Sequence, residues 1–359
     1  MTLREIAEAA QVSIGTVDRV LHDRGRVSPE TKAKIEALID RYGYKPNPIA
    51  RHLKLNRKYS FVALMPRAGE DSGYWKIADA GVEKAAKELA AFGVSVRKIE
   101  YNRYDPVSFF ENTRRMADMD FDGLLMTPLL PEAGASLLKA LPEGFPVVFF
   151  DAQLPGYSPL SRIGQDAFRS GVLAGRLLDA FSAKKGPYFV VSSHGEDFHI
   201  RKRIEGFLSY FGSPALTSAP APSPSSPSPS PSPSAPSREI RTFENIDLEH
   251  RETRETFLRK MLEGTQNPGG IFVTNVSVHG VASYVNGKNT DHIAVVGYDL
   301  VPENERRLRS GMIDCILSQR PEYQTYEGIY RLYRHVALQQ AVEKESVVPI
   351  DIYVRENLP

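Results

Sequence analysis

The chain has 359 residues, of which 42% are hydrophobic and 25% charged, and its formal net charge at pH 7 is +1. That length is too great for one typical core and suits two or three globular domains. Its only cysteine, Cys315, excludes an intramolecular disulfide framework, and there is no apolar run of about 18 residues that could span a membrane. The N-terminal stretch MTLREIAEAA has no long apolar core, so we expect no secretory signal and a cytoplasmic location.

Charge is unevenly distributed along the chain. Residues 1–58 contain 12 Lys or Arg and 7 Asp or Glu, a net charge of +5. The other 301 residues contain 33 basic and 37 acidic side chains, a net charge of −4. A small basic region followed by a mildly acidic one indicates that only the first region meets a polyanion, although many small solvated domains are also basic.

Three short helices are predicted in the basic region. The first has Thr2 as its N-cap, the second follows Ser13, and the third has Ser28 as its N-cap, Pro29 at its first position and Gly43 at its end. Their apolar faces consist of Leu3, Ile6, Ala7 and Ala10 in the first helix, Val17, Val20 and Leu21 in the second, and Ile35, Leu38, Ile39 and Tyr42 in the third. Two short helices joined by a tight turn match a helix-turn-helix, and a small bundle without a DNA role is the alternative.

The second helix carries the residues expected to contact DNA. They are Ser13, Ile14, Gly15, Thr16, Asp18 and Arg19. In a helix-turn-helix this helix lies in the major groove, where Arg19 can pair with guanine and Ile14 can meet a thymine methyl group. The hydroxyl groups of Ser13 and Thr16 suit phosphates, whereas Gly15 has no side chain with which to read a base.

The segment LREIAEAAQVSIGTVDRVLHDRGRVSPETKAKIEALIDRYGYKPNPIARHLK resembles the headpiece of the LacI/GalR (lac repressor) family of transcriptional regulators. The resemblance covers the three helices, the Tyr-x-Pro turn and the next segment without a gap. It implies a helix-turn-helix DNA-binding domain over residues 1–46 and a hinge helix or linker over residues 47–58.

The hinge segment would form only about two helical turns, with Asn47 as N-cap and Pro48 at the first position. Because so short a helix is marginal in water, a partly disordered linker is the alternative. In the resembled family the segment becomes helical on DNA, and a leucine at the position of Leu53 wedges into the minor groove. The resemblance also places Arg51 and Lys54 beside the groove and the phosphates.

From Ser60 onward, short apolar runs alternate with amphipathic helical stretches. Nine segments predict strands, at 60–66, 94–101, 123–129, 146–151, 188–193, 240–245, 270–275, 292–299 and 314–319. Helices are predicted between them, for example at 77–91, 166–183 and 321–340. This alternation is typical of parallel sheets with crossover helices, and the number of strands predicts two doubly wound α/β lobes.

Polar residues follow several of these strands. They are Arg67, Asp151, Ser193, His194, Asn275, Asp299 and Gln319. Because ligands in such folds bind beyond the carboxyl ends of the strands, these residues predict a polar cleft between the lobes. Each could equally be a turn or helix-cap residue, since Asn, Asp and Ser favour those positions.

Residues 59–359 resemble the type I periplasmic-binding-protein fold, of the ribose-binding kind, which is the sensor domain of this regulator family. The resemblance implies an N-lobe of about 59–163 and 320–343 and a C-lobe of about 164–319 and 344–359. It also implies that a sugar binds between the lobes. The residues it assigns to that site are Tyr74, Trp75, Asp151, Arg201, Arg203, Asn275, Asp299 and Gln319.

The chemistry of these side chains suits a neutral polyhydroxyl ligand. A carboxylate accepts hydrogen bonds from two hydroxyls, an arginine fork donates two, and an aromatic ring covers the C–H face of a pyranose. Two residues keep an alternative: Trp75 could pack in the core, and Arg203 could form an interlobe salt bridge.

Residues 213–237 depart from the family pattern, which has a short turn there. The segment contains 9 Pro and 10 Ser among 25 residues and has few apolar anchors. Its composition predicts a disordered, extended insertion, which the fold can tolerate because closing a longer loop costs little.

The sequence therefore predicts an allosteric DNA-binding transcriptional regulator, with repression as its output and a sugar as its effector. We expect a homodimer that reads a pseudo-palindromic operator. The alternative is an architectural DNA-binding protein with a vestigial sensor; a sugar-transport receptor would need an export signal and no headpiece. The chain lacks GxxxxGK[ST], GxSxG and HExxH, and His194 and His199 are five residues apart, the wrong spacing for one helical face. We expect no enzymatic activity, cofactor, metal or membrane partner.

Overall fold

The structure is a computed structural model that describes residues 3–21, 25, 27–42, 57–212, 238–287 and 291–358. The chain divides into two compact units, Met1–Arg57 and Lys58–Pro359, which we call the headpiece and the body. Three predicted DNA contacts, Arg51, Leu53 and Lys54, lie outside the described residues. So do the predicted N-cap Thr2 and the Pro/Ser-rich segment 213–237.

The headpiece contains the three predicted helices. They are α1 (Leu3–Ala10), α2 (Ile14–Leu21) and α3 (Pro29–Tyr42). Ser13 and Ser28 are N-caps as predicted, since their hydroxyl oxygens each accept a hydrogen bond of 3.2 Å from the backbone N–H three residues later. The buried side chains of the bundle are Ile6, Ala7, Ala10, Val17, Val20 and Ile35. The prediction that Tyr42 lies on the buried face is wrong: it is 47% exposed at the last position of α3, where a helix end has fewer neighbours than the buried Ile35 in the middle.

The body is built from twelve strands and nine helices within its described residues. The strands are β1 (Tyr59–Pro66), β2 (Val94–Tyr101), β3 (Gly123–Met126), β4 (Val147–Phe150), β5 (Ser161–Gln165), β6 (Tyr188–Val191), β7 (Ile240–Phe243), β8 (Gly270–Val273), β9 (Ala294–Tyr298), β10 (Cys315–Ser318), β11 (Glu345–Val348) and β12 (Asp351–Tyr353). The helices are α4 (Tyr74–Leu89), α5 (Pro106–Arg114), α6 (Pro131–Ala140), α7 (Ala167–Phe181), α8 (Phe198–Tyr210), α9 (Arg251–Leu262), α10 (Val278–Asn286), α11 (Pro302–Arg309) and α12 (Pro321–Val336).

The strands form two sheets, one in each lobe, in the orders β11-β5-β4-β3-β1-β2 and β12-β10-β9-β8-β6-β7. All neighbouring strands pair in parallel except β12, which runs antiparallel to β10. Apolar clusters cover both faces of each sheet, so the central strands are buried on both sides. Strands of that kind are continuous apolar runs, which explains why the central strands could be predicted. The edge strands β2 and β7 were predicted as well, and all nine predicted strands are present. The predicted fold of two doubly wound α/β lobes is confirmed.

The chain crosses between the lobes after β5, after β10 and after β11. Helix α12 packs against α4, β3, β4 and β5 of the first lobe, as expected. The boundary expected near residue 343 is wrong, because β11 pairs in parallel with β5 and belongs to the first lobe through Val348. The first crossover likewise comes after Gln165 rather than after residue 163. None of the helices in the described part of the chain is long and apolar enough to cross a lipid bilayer.

Candidate functional site

A cavity lies between the two lobes, where the carboxyl ends of their strands face each other. Seven of the eight residues predicted for the effector site line it, namely Tyr74, Trp75, Asp151, Arg203, Asn275, Asp299 and Gln319. The eighth, Arg201, is exposed on α8 and lies outside the cavity. Seven further residues line the cavity: Asp71, Arg103, His194, Asp197, His199, Ile200 and Val276. Of these, the sequence analysis placed only His194 at the cleft, as a residue that follows a strand.

The phase of α8 separates the two arginines. Ile200, Arg203 and Phe207 lie on its buried face, three and four residues apart, whereas Arg201 points to solvent. This apolar periodicity is visible in the sequence and could have excluded Arg201. Helix α7 sets the position of Arg203, because a Cβ atom added to Gly171 would lie 2.0 Å from the Arg203 carbonyl oxygen. Only glycine permits so close an approach of the two helices.

Asp151 and Asp299 occupy equivalent positions, directly after the fourth strand of each parallel array, β4 and β9. Both have left-handed backbone conformations, with φ of 62° and 58°. Their N–H groups donate to the carbonyls of Ile163 (3.1 Å) and Leu317 (2.7 Å) on the next strand. Burial raises the pKa of Asp151 to about 6 and that of Asp299 to about 7, against the opposing charge of Arg203.

Arg203 is 2% exposed and connects several of the lining groups. Its Nη1 donates to the Thr274 carbonyl (2.8 Å) and its Nη2 to Gln319 Oε1 (2.9 Å). Its guanidinium carbon lies 3.7 Å from the centroid of the Tyr298 ring, a cation–π contact. The side chain is therefore oriented before any ligand arrives.

The two aromatic residues at the start of α4 have different surroundings. The Tyr74 hydroxyl donates to Asp151 Oδ1 at 3.0 Å. Trp75 is 1% exposed, belongs to the core of the first lobe, and donates from Nε1 to Asp71 Oδ2 at 2.7 Å. Its ring also meets Phe150 edge-on, with 6.3 Å between the centroids. Core packing, the alternative for Trp75, thus describes most of its contacts, although the indole also lines the cavity.

Four charged or titratable residues form what we call the cross-lobe ion network: Asp71 and Arg103 from the first lobe, His194 and Asp197 from the second. Arg103 donates to Asp71 in its own lobe and, at 2.7 Å, to Asp197 Oδ2 across the cleft. His194 Nε2 lies 3.6 Å from Asp71 Oδ1. Burial opposes ionisation of Asp71, but the nearby His194 imidazole and the charge of Arg103 outweigh it and lower the pKa of that carboxyl.

The histidine pair considered for metal binding is divided between two environments. His194 contacts Asp71, whereas His199 is enclosed, and burial together with the charge of Arg203 lowers its pKa well below 6.5. Nδ1 of His199 is buried and has no hydrogen-bond partner in the structure. The described residues contain no group of three or more His, Cys, Asp or Glu side chains arranged to hold a metal ion.

The space enclosed between the lobes is small. The cavity has a volume of about 30 Å³, enough for about two water molecules, each of which needs about 10–15 Å³ of such space. Pockets for small-molecule ligands are about 300–1,000 Å³. Admitting a ligand as large as a sugar ring therefore requires the lobes or the arginine side chains to move apart.

The headpiece has a second candidate site on α2. Ser13, Ile14, Gly15, Asp18 and Arg19 are exposed, and Thr16 is half-buried. Ile14 is 48% exposed although it is apolar, which is consistent with a surface that contacts a partner. The hydroxyls of Ser13 and Thr16 lie 2.9 Å apart and bond to each other, so contact with a phosphate would share or replace that bond.

A helix-turn-helix headpiece joined to a two-lobed body with an interlobe cavity defines the class of this protein. Residues 2–47 match the family model described as bacterial regulatory proteins, lacI family. Residues 62–340 match the family model described as periplasmic binding protein domain. The headpiece therefore matches the lacI family of bacterial regulatory proteins, and the chain belongs through its body to the periplasmic binding protein domain family.

Comparisons with individual proteins agree with this division into a headpiece and a body. The HTH-type transcriptional repressor PurR of Klebsiella pneumoniae is 29% identical over 179 residues, which cover 49% of this chain and 50% of PurR. A LacI transcriptional regulator of Bacteroides fragilis has a similar structure, with a TM-score of 0.70, 22% identity, and 84% of this chain and 98% of the other covered. The glucose-galactose binding protein GanP of Geobacillus stearothermophilus gives a TM-score of 0.67 at 21% identity and covers 84% of this chain and 99% of GanP. The matched region spans half or less of the curated relatives' lengths, from 20% to 50%.

Proposed function

We propose that this protein is a transcriptional regulator that binds an operator through its headpiece and changes that binding when a sugar occupies the cavity between its lobes. The observation that carries the proposal is the convergence of polar side chains from both lobes on one cavity, in a chain that starts with a lacI-family headpiece. We infer repression as the output and, because the target is operator DNA, a cytoplasmic location.

A sugar fits the unsatisfied groups of the cavity. Asp151 and Asp299 provide carboxylate acceptors, and Oδ1 of Asn275 is buried without a hydrogen-bond partner in the structure. Nε of Arg203 and Nδ1 of His199, two further lining residues, are also buried without a partner. A ligand with several hydroxyl groups can pair with these three atoms, whereas an apolar ligand would leave them unpaired at a cost of about 1–3 kcal/mol each.

The contact set we propose for the sugar consists of Tyr74, Trp75, Asp151, Arg203, Asn275, Asp299 and Gln319. Arg201 is left out because it is exposed and outside the cavity. The similarity of the body to GanP, a glucose-galactose binding protein, supports a monosaccharide as the ligand class.

On the DNA side, we assign base reading to Arg19 and Ile14 and phosphate contacts to Ser13 and Thr16. Asp18 and Gly15 complete the exposed surface of α2. The hinge contacts of Arg51, Leu53 and Lys54 rest on the family resemblance alone. Two headpieces in a homodimer would read the two halves of a pseudo-palindromic operator.

The switch would act through the angle between the lobes. Several polar contacts hold the lobes together, among them Arg103 with Asp197, the Ser72 hydroxyl with Glu249 Oε1 at 2.8 Å, and Gln165 Nε2 with the Ser318 carbonyl at 3.0 Å. A sugar that enters must break or rearrange these contacts, and it shifts the equilibrium only by its difference in affinity for the two lobe arrangements.

The test combines two titrations of the full-length protein. A panel of monosaccharides that includes D-glucose, D-galactose and D-arabinose is first screened by thermal shift, because a ligand of the native state raises the melting temperature. The sugars that bind are then added to the protein on a DNA duplex selected from a random library, and binding is followed by fluorescence anisotropy. We expect at least one sugar to bind the body and to change DNA affinity.

Arg19→Ala is the control for the DNA side. We expect it to weaken duplex binding by about 1–3 kcal/mol without altering the thermal shift by the sugar. Arg4→Ala replaces an exposed side chain of α1 and should leave duplex binding and the thermal shift by the sugar unchanged. A protein that binds DNA but responds to no sugar, polyol or sugar acid would contradict the switch and favour an architectural role. Failure to select any duplex would contradict the proposal that the protein is a DNA-binding regulator.

A further inference from the structure

Gln324 is a fully buried amide on the first turn of α12, at the crossover between the lobes. Its Oε1 accepts a hydrogen bond from the backbone N–H of Asp151 at 2.7 Å. Its Nε2 donates to the backbone carbonyl of Gln319, also at 2.7 Å. One side chain thus uses both ends of its amide on the backbone of two residues that line the cavity.

The two partners of Gln324 belong to different lobes. Asp151 directly follows β4 of the first sheet, and Gln319 directly follows β10 of the second. Gln319 in turn donates from Nε2 to Asp299 Oδ2 at 3.1 Å and accepts from Arg203 at 2.9 Å. A continuous hydrogen-bonded path therefore runs from one half of the cavity to the other through the Gln324 amide.

We infer that Gln324 is a positioning residue that ties the position of Asp151 to that of Gln319 and so couples the effector site to the angle between the lobes. Only the sugar titration that tests this inference rests on the proposed function; the distance measurement between the lobes does not. Gln324 itself does not line the cavity. It acts on the ligand through the backbone of residues that do.

The backbone of Asp151 makes this support necessary. Its φ of 62° is a conformation that residues other than glycine rarely adopt, and the surrounding structure must hold it there. The Asp151 N–H is shared between the Ile163 carbonyl at 3.1 Å and Gln324 at 2.7 Å, and the Gln324 bond is the shorter. Without the amide, Asp151 keeps one backbone bond, and the Gln319 carbonyl loses its Gln324 donor.

Asn286 offers a matched control in the second lobe. It is also an amide that bridges backbone groups, donating to the carbonyls of Ile293 and Met312 at 2.9 Å each and accepting from Ile293 N–H at 3.0 Å. All its partners lie within one lobe and outside the cavity. Removing it should reduce stability without changing the coupling between the lobes.

The first measurement needs no sugar. Dyes are attached to Glu111→Cys on α5 and Glu252→Cys on α9, both exposed and in different lobes, while the native Cys315 is buried. Single-molecule energy transfer then reports the distance between the lobes. We expect Gln324→Met, which keeps the length of the side chain, to broaden this distribution or shift it to longer distances. Asn286→Leu should leave it as in the parent.

The second measurement uses the tightest-binding sugar of the monosaccharide panel in isothermal titration. We expect Gln324→Met to weaken it by about tenfold, the loss of about one buried hydrogen bond. Asn286→Leu should lower the melting temperature and leave the affinity unchanged. If Gln324→Met does not fold, Gln324→Asn replaces it, since that amide is one methylene too short to reach both partners.

The outcomes separate the two proposals. If no sugar binds the parent protein, the proposed function fails, and the energy-transfer comparison still decides the role of Gln324. If the parent binds sugar but the Gln324 variant keeps both the parent distance distribution and the parent affinity, the inference is overturned. Equal effects of the Gln324 and Asn286 variants on the interlobe distance and on the sugar affinity would mean that Gln324 contributes only to stability. That result would also overturn the inference.

Discussion

Five strands of each lobe, β1–β5 and β6–β10, are arranged in the same order, and each lobe carries an aspartate after the fourth of them, yet the two lobes support that aspartate differently. Asp299 in the second lobe accepts two hydrogen bonds from Gln319, which follows the neighbouring strand. Its own carbonyl accepts from Asn304 Nδ2 at 2.8 Å. Asp151 in the first lobe accepts from the Tyr74 hydroxyl, and its backbone depends on Gln324, beside the crossover.

We call the cavity residues of each lobe its half-site. The half-site of the second lobe, with Asp299, is supported inside that lobe, whereas the half-site of the first lobe, with Asp151, is supported partly by Gln324 beside the crossover. Asn304 is fully buried and also donates to the carbonyls of Val276 and Tyr298, all within the second lobe. We therefore expect the second lobe to keep its geometry when the lobes move, and the first lobe's half-site to respond to that motion. The following predictions test this contrast.

The largest effect is expected for Arg203→Met. The substitution removes the guanidinium that offsets the charges of Asp151 and Asp299, so we expect a loss of about 3–5 kcal/mol in the unfolding free energy of the body at pH 7.5 and no measurable sugar binding. Urea unfolding measures the unfolding free energy, and calorimetric titration measures sugar binding. Arg201→Met, two residues away and exposed, is the control and should change neither. A mild Arg203 effect would mean that the second lobe's half-site does not depend on its buried cation.

Asn304→Leu should cost about 3 kcal/mol, because three buried carbonyls lose the donor that they share. Unlike Gln324→Met, it should leave the interlobe distance distribution unchanged, since all its bonds lie in one lobe. Energy transfer between the dyes at positions 111 and 252 measures this. A shifted distribution in the Asn304 variant would contradict the proposed difference between the lobes.

Arg103→Met breaks the bond between the lobes and leaves Asp71 and Asp197 without their shared partner. We expect about 2–3 kcal/mol of destabilisation in urea unfolding, with a wider interlobe distance. Arg114→Met, an exposed arginine of the same lobe, serves as the control. The prediction fails if the cleft stays as narrow as in the parent.

The smallest effect is a difference between the two aspartates in pH dependence. Each has a folded-state pKa above its unfolded value near 4, so its protonated form is favoured in the folded state. The resulting stability is fully present below pH 4 and is lost as pH rises to about 6 for Asp151 and about 7 for Asp299. Asp299→Asn should therefore stabilise the body at pH 8 more than Asp151→Asn does, by about 1 kcal/mol. At pH 4 both variants should melt close to the parent, and the reverse order at pH 8 would contradict the higher pKa of Asp299.

Much of this molecule could be predicted from local pattern. The apolar strands β3, β4, β8 and β9 were predictable because a parallel strand buried on both faces must be apolar throughout. The N-caps Ser13 and Ser28 were predictable because each precedes an amphipathic run. The polar residues after the strands were predictable as one site because parallel strands end at a common edge.

Other features depend on residues that are distant in sequence. The strand β5 contains Ser, Arg and Gln side chains, and β11 and β12 lie at sheet edges with mixed polarity, so no apolar periodicity marks any of the three. Arg103 and Asp197 are 94 positions apart, and each could be a solvated charge until the lobes face each other.

The sequence by itself determined the three-helix headpiece, the two-lobed α/β body and the strand-end residues of the cavity, because these follow from periodicity, local capping and the common edge of parallel strands. Its resemblance to the LacI/GalR headpiece implied the family. Only the tertiary structure decided that Arg203 and not Arg201 enters the cavity, that Trp75 is held in the core by Asp71, and that Gln324 joins the two half-sites. The physical reason is that a hydrogen bond or ion pair between lobes depends on the distance between atoms that only the folded chain brings together.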